Sequence, residues 1–184
     1  MTKLSKSVAE SEVTITELMI PAYANFGGKV HGGILLGLMD KVAYVCASKY
    51  SGSYCVTVAV EGVEFLTSVE VGELVSLKAS VNYVGRTTMI VGIRVEALLP
   101  QSGEVKHTNS CYFTMAAKDD QGNLKEVPEL ILQNELQLRR FCEGKGIRRL
   151  SLQKREYLKG NLKDVSMQEQ MAMTFSERVV VSLS

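Results

Sequence analysis

The spacing of polar and apolar residues changes period twice along the chain. Residues 12–20, EVTITELMI, carry β-branched side chains and read as a strand, which Pro21 closes. A glycine-rich loop follows, with Gly27, Gly28, Gly32 and Gly33. Residues 33–49, GILLGLMDKVAYVCASK, repeat at helical spacing instead. Leu35, Leu38, Met39, Val42, Val45 and Cys46 make an apolar face. Leu36, Ala43 and Ala47 extend that face around most of the circumference, leaving Lys41, Tyr44 and Ser48 as a thin polar stripe. A helix this apolar is normally wrapped by other structure.

After YSGS the period returns to two. Residues 54–66, YCVTVAVEGVEFL, alternate in part. Residues 73–84 alternate cleanly, with Val75, Leu77, Ala79, Val81 and Tyr83 opposite Ser76, Lys78, Ser80 and Asn82. Residues 88–97 place Met89, Val91, Ile93, Val95 and Ala97 opposite Arg94 and Glu96. A further strand covers 104–117. The turns between these strands are VGRTT and PQSG. The order strand, helix, then a run of long antiparallel strands predicts an α+β fold in which one sheet wraps one buried helix.

The pattern changes again at Pro128. The stretch ELILQNELQLRRF reads as an amphipathic helix, and GKGIRRLSLQKREYLKGNLK is strongly basic. The last stretch, ending ERVVVSLS, is ambiguous. The expected organisation is a domain over residues 1–127 and a helical, basic C-terminal extension over 128–184.

Composition narrows the function classes. A chain of 184 residues with 46% hydrophobic content can form one domain with a substantial core. A net charge of +1 gives no global bias toward nucleic acid or an acidic membrane, and neither is expected as a partner. Nine Lys and Arg fall between Arg139 and Lys163, but only Phe141 and Tyr157 are interleaved with them, so a solvated helical face is the simpler reading. No stretch approaches the ~20 apolar residues of a membrane span. The opening MTKLSKSVAESEV lacks the apolar core of a signal peptide. Cys46, Cys55, Cys111 and Cys142 form no close pair, as expected of reduced thiols in a cytoplasmic protein. His31 and His107 have no Cys or carboxylate at metal-ligand spacing, so no metal site is expected.

One residue stands out chemically. Asp40 lies on the apolar helix, seven positions after Gly33 and on the face of Leu36, Ala43 and Ala47. A desolvated carboxylate there would have a raised pKa and could act as a general base or nucleophile. The alternative is a surface carboxylate paired with Lys41 or Lys49. Asn25, before the glycine-rich loop, reads as a turn former. His31 could be a base, a cap or a packing residue. The loop GGKVHGG fits neither GxxxxGK[ST] nor GxGxxG. What remains is a helix N-terminus whose free N–H groups can polarise a carbonyl.

The stretch NFGGKVHGG followed by GLMD resembles the signature of hotdog-fold acyl-CoA thioesterases, a family of bacterial acyl-CoA hydrolases and cytosolic acyl-CoA thioester hydrolases. The similarity continues in order through CVTVAVEGVEFLTSVEVGE, ASVNYVGRTTMIVGIRVEA and TNSCYFTMAAKDDQGN, over about residues 8–127. It implies a long antiparallel sheet curled around a central helix, and hydrolysis of acyl-CoA to free acid and coenzyme A. It implies that Asp40 is the catalytic general base or nucleophile. It also gives Asn25 a catalytic part, orienting water or carbonyl, in a site shared between two protomers. Gly32 and Gly33 would supply the oxyanion hole, with His31 in a structural role and Thr57 lining the site. Glu64, Phe65 and Leu66 match the segment along the pantetheine arm, and Gly85, Arg86, Thr87 and Thr88 a loop that contacts coenzyme A. Thr88 stands where serine is common. Arg86 and Lys49 could meet the phosphates. No metal or redox cofactor is implied; coenzyme A enters only within substrate and product. The family assembles as dimers, often as a hexamer built from three of them. Two alternatives are a hotdog hydratase or dehydratase, which lacks support because no HFP-type signature accompanies His31, and a non-catalytic acyl-CoA sensor, for which the twelve N-terminal residues are too short to hold a helix-turn-helix.

Overall fold

The computed structural model describes residues 4–160, 165–173 and 178–179. Its elements follow the changes of period. Short strand β1 (Ser5–Ser7) precedes a 3-10 turn at Val8–Ser11, and β2 spans Val13–Leu18. Helix α1 runs from Gly32 to Ser51. Four long strands follow: β3 (Tyr54–Phe65), β4 (Leu74–Val84), β5 (Thr88–Leu99) and β6 (Glu104–Lys118). Strand β7 (Glu129–Ile131), α2 (Glu135–Gly160) and α3 (Met167–Ala172) complete the order.

Five strands form one antiparallel sheet in the order β2-β4-β5-β6-β3, and β1 pairs with β7 in a separate parallel pair. The sheet curls around α1, as the alternation predicts. Val75, Leu77 and Val81 of β4, Val91 and Val95 of β5, and Phe113 and Met115 of β6 all point inward and are fully buried. They meet Met39, Val42 and Cys46 of α1 in one apolar cluster. Each large side chain buried there contributes roughly 1.5–3 kcal/mol before entropy is charged against it.

Two expectations are corrected. Tyr83 does not continue the inward row of β4. Val81 pairs with Val91 but Tyr83 pairs with Ile90, so Asn82 is an extra residue in the β4 ladder. A bulge of this kind re-aims side chains, and the Tyr83 ring lies 5.3 Å from Phe141 of α2 rather than in the core. The stretch from Glu129 is not helical throughout. Residues Glu129–Ile131 pair with β1, where the Glu129 N–H donates to the Leu4 carbonyl at 2.9 Å. The Tyr50 hydroxyl donates to the Glu129 carbonyl at 3.0 Å. These partners sit far away in sequence, which hides them from local periodicity. The helix begins only where Asn134 Oδ1 accepts the Gln137 N–H at 3.0 Å.

Met1–Arg148 form one compact unit and Arg149–Ser184 a second. In the second, Ser166 and Glu169 cap α3 reciprocally. The reading of ERVVVSLS falls outside the described residues except at Arg178 and Val179.

Candidate active site

Residues 36, 40 and 44 share one stripe of α1, and that stripe points away from the inward cluster. Asp40 is therefore exposed on the protomer, not buried as its apolar neighbours suggested. The inner face of α1 is taken by Leu35, Met39, Val42 and Cys46, and the outward stripe is left without cover from the described residues. Thr57 of β3 stands beside it and donates its hydroxyl to Asp40 Oδ1 at 2.6 Å. Thr57 precedes an irregularity in the β3–β6 register, between Thr57 and Ala59. Among the described residues neither Lys41 nor Lys49 pairs with Asp40; Lys49 Nζ donates to the Glu12 carbonyl at 2.8 Å. The carboxylate is held by a neutral hydroxyl on one oxygen, which leaves Oδ2 open to an incoming molecule.

The surroundings of Asp40 are apolar and uncovered. Leu36, Tyr44 and Val45 of α1 are exposed, as are Tyr54, Val58 and Val60 of β3. Tyr44 and Tyr54 meet edge to face with centroids 6.1 Å apart. Strand β3 is an edge of the sheet, so its outer backbone groups are free to pair with another strand.

The N-terminus of α1 has fewer free donors than the sequence suggests. His31 is its N-cap, and its Nδ1 accepts the Gly33 N–H at 3.0 Å. That bond requires the ring hydrogen to sit on Nε2. The Ile34 N–H turns back to the His31 carbonyl at 2.9 Å. Gly32 alone among these keeps an N–H with no partner among the described residues. The Phe65 ring lies over Gly32, within 3.4 Å of where a Cβ would stand. Asn25 closes the preceding loop: its Oδ1 accepts the Gly27 N–H at 2.8 Å and the Lys29 N–H at 3.2 Å. That is the turn role read from its residue type, and its Nδ2 stays free among the described residues. No hydrogen bond joins Asn25 to Asp40 within the protomer.

The remaining candidates gather elsewhere. Gly85 and Arg86 line a cleft of about 820 Å³ together with Gly52 at the C-terminal end of α1. The Gly85 N–H donates to the Thr88 carbonyl at 2.7 Å, and the Thr87 carbonyl accepts the Ala117 N–H at 3.0 Å. Lys6 and Lys125 also line this cleft; sequence reasoning did not single them out, although Lys125 follows directly on the turn after β6. At the end of β3 the Glu64 carbonyl accepts the Asn109 side-chain amide at 3.2 Å, and the Leu66 N–H donates to the Thr108 carbonyl at 3.0 Å. Gly52 follows Asp40 by twelve residues, about 18 Å along the helix axis. One protomer thus brings Thr57 to Asp40 and Phe65 to Gly32, and keeps Gly85–Thr88 at the other end of α1.

Two thiols of the core offer no competing nucleophile. Burial pushes Cys46 and Cys111 up to about 12, so both stay protonated near neutral pH. All four cysteines are free. No helix of the described residues is long and apolar enough to cross a membrane.

Comparison with known proteins bears on this geometry. A family model described as the thioesterase superfamily matches residues 27–100, which include Asp40, Thr57 and the Gly85–Thr88 loop. The chain is 42% identical over 149 residues to protein VdlD of Helicobacter pylori, covering 81% of this chain and 84% of that protein. It is similar to a solved structure described as an apo-hexameric acyl-CoA thioesterase, with a TM-score of 0.79, 30% identity, and 82% of this chain and 97% of that one covered. It is similar as well to an acyl-CoA hydrolase from Staphylococcus aureus solved with butyryl coenzyme A, coenzyme A and coenzyme A disulfide. There the TM-score is 0.73 and the identity 27%, over 84% of this chain and 98% of that one.

Proposed function

The chain belongs to the thioesterase superfamily of hotdog-fold acyl-CoA thioester hydrolases, and from that premise we propose that it hydrolyses acyl-CoA with Asp40 as the activating carboxylate. The observation that carries the reading is the Thr57–Asp40 hydrogen bond of 2.6 Å on the outward stripe of α1. Thr57 fixes one carboxylate oxygen and leaves the other to work. A water held by Asp40 Oδ2 gives up a proton to the carboxylate as its oxygen attacks the thioester carbon. The tetrahedral oxyanion collapses, the C–S bond breaks, and the coenzyme A sulfur leaves with the electron pair and takes up a proton. Direct attack by Asp40 would instead form a mixed anhydride that water opens in a second step. The Gly32 N–H, next to the α1 N-terminus, is the donor best suited to the oxyanion; one such donor is worth ~3 kcal/mol. The Gly33 N–H is already used by His31 Nδ1, so Gly33 shapes the turn and His31 holds it.

The site is completed by a second copy of the chain. Asp40 faces outward amid exposed Leu36, Tyr44, Val58 and Val60, beside the unpaired edge of β3. An antiparallel partner laid along that edge buries the apolar stripe and desolvates Asp40. It also brings the partner's loop to the site, which is how the free amide of Asn25 reaches water or carbonyl. The same arrangement resolves the separation of about 18 Å along α1, because the Gly85–Thr88 loop of one copy then serves Asp40 of the other. Arg86 lines the 820 Å³ cleft with Lys6 and Lys125, beside Glu126 and Glu129, and its guanidinium is suited to the phosphates of coenzyme A. Higher assembly, as in the hexameric relative, is part of this proposal. Under it, acyl chain length is set by the apolar residues around Asp40.

Single-turnover hydrolysis in ¹⁸O-labelled water tests the chemistry. Acyl-CoAs of graded chain length are mixed with excess protein, and the free acid and the peptide bearing Asp40 are weighed by mass spectrometry. A general base puts the label only in the released acid. A nucleophilic Asp40 whose anhydride water opens at the Asp40 carbonyl instead leaves the label in its own carboxylate, and opening at the acyl carbonyl is distinguished by trapping the anhydride with hydroxylamine. Absence of any acid or coenzyme A release across the series would overturn the proposed activity.

A further inference from the structure

A second cavity lies on the other side of the sheet. It encloses about 450 Å³ between the outer faces of β4, β5 and β6 and the first turns of α2. A helix packed on a sheet ordinarily covers apolar side chains. Here the rows beneath it are polar: Lys78, Arg94 and Ser110 stand side by side across the three strands, and Ser80, Gly92 and Tyr112 form the next row. The helix is held nearby through Phe141, stacked near Tyr83, and Gly144, where an added Cβ would come within 2.9 Å of Tyr83 Cβ.

The floor of the cavity is built by three cooperating features. The extra residue of the β4 bulge is Asn82, and the bulge turns its side chain outward. Asn82 is only 5% exposed, and its Oδ1 accepts the Ser80 hydroxyl at 3.0 Å. Its Nδ2 lies directly above Gly92, where any Cβ would stand 2.3 Å from it. A side chain at that position would expel the amide. Among the described residues nothing accepts a hydrogen bond from that Nδ2. The amide faces the cavity it lines.

The lining is rich in cations, from the sheet and from α2 alike. Lys78, Arg94, Arg139 and Arg140 line the cavity against two carboxylates, Glu12 and Glu143. Glu96, just outside, takes Lys78 Nζ at 2.6 Å and Arg94 Nε at 2.7 Å. Glu143 is engaged by the Tyr112 hydroxyl at 3.1 Å and by Arg139 Nε at 3.6 Å. Arg140 has no carboxylate partner among the described residues. One lining thus brings together the Arg140 guanidinium, the Asn82 amide and the hydroxyls of Ser80 and Tyr112.

We propose that this cavity binds a phosphate monoester, gripped by the Arg140 guanidinium with Arg139 beside it and receiving a hydrogen bond from Asn82 Nδ2. A planar guanidinium matches phosphate oxygens two at a time, and the Asn82 amide donates to a third. The cavity volume suits a small metabolite rather than a polymer. It lies across the sheet from α1 and contains no residue assigned to thioester chemistry. Both a free phosphorylated metabolite and the 3′-phosphate of coenzyme A carry the required group.

Calorimetric titration of the native oligomer with inorganic phosphate tests the site. Wild type binds saturably, and Arg140→Gln weakens binding about tenfold or more. Gly92→Ala, which removes no charge, weakens it as well by displacing Asn82; thermal melts confirm that each variant is folded. Asp40→Asn binds phosphate like wild type, so the site stands or falls independently of the hydrolase reading. A kinetic arm separates the two sources by comparing KM for an acyl-CoA and for its 3′-dephospho form. If Arg140→Gln erases a preference for the phosphorylated form, the group comes from coenzyme A. If the KM ratio is unaffected while phosphate binding falls, it comes from a separate metabolite. No saturable binding by wild type, or equal phosphate binding by wild type and folded Arg140→Gln, overturns the proposal.

Discussion

Helix α1 presses on the inner face of the sheet with Leu35, Met39, Val42 and Cys46, all fully or nearly fully buried. Helix α2 lies at the outer face and touches it mainly through Phe141, Gly144 and Glu143. One contact is dry and continuous; the other is small and leaves a polar cavity. Apolar burial fixes each helix, and the side chains to which we assign chemistry sit on the stripes that burial leaves free: Asp40 on the outward side of α1, Arg140 at the wall of the α2 cavity.

Truncating the two aromatic anchors tests this contrast most severely. Phe113→Ala, in the dry inner layer, is expected to cost about 3–5 kcal/mol of stability in urea unfolding. Phe141→Ala, half-buried against Tyr83, is expected to cost only about 0.5–1.5 kcal/mol. Equal losses would break the distinction between the two faces. A smaller effect sharpens the account of the outward stripe. Thr57→Val keeps the shape of β3 but removes the donor to Asp40. A hydrogen bond to a charged group is worth ~1.5–3 kcal/mol, so kcat should fall roughly tenfold or more with Tm nearly unchanged. Unchanged kcat would mean that Thr57 does not position the carboxylate.

The smallest effect concerns the outer rows. Hydrogen bonds from Lys78, then Arg94, hold the Glu96 carboxyl below its ordinary 4.5. A carboxyl depressed by folding stabilises the native state above its unfolded value, and that stabilisation fades as pH falls from about 4.5 through the lower folded value. The Tm gap between wild type and Glu96→Gln should therefore be largest near neutrality and shrink below pH 4.5. It stays modest throughout, because the group is partly solvated. A gap that widens in acid would reverse the sign of the interaction.

Much of this architecture is legible in the order of residues. Clean alternation over 73–84 and 88–97 marks β4 and β5 to within two residues, and the apolar run around Met39 marks the central helix. What the sequence hides is non-local. The pairing of Ser5–Ser7 with Glu129–Ile131 joins the two ends of the first unit, and no local period reports it. The bulge at Asn82 appears as unbroken alternation until its partner strand is known. His31 reads as a cap or packing residue more readily than as a base, but which of those two it is shows only when its Nδ1 takes the Gly33 N–H. Asp40 misled in a more instructive way. An all-round apolar helix implies cover on every side, but the described residues supply cover on one side only, which is why the proposed function calls on a second copy.

The central claim is that the exposed carboxylate of α1 drives thioester cleavage. Its most direct test is release of free coenzyme A by Asp40→Asn beside wild type, with Tm measured on the same samples. The account predicts a fall in kcat of about 10²–10⁴-fold with folding and assembly intact. A folded Asp40→Asn variant that hydrolyses acyl-CoA at the wild-type rate would contradict it.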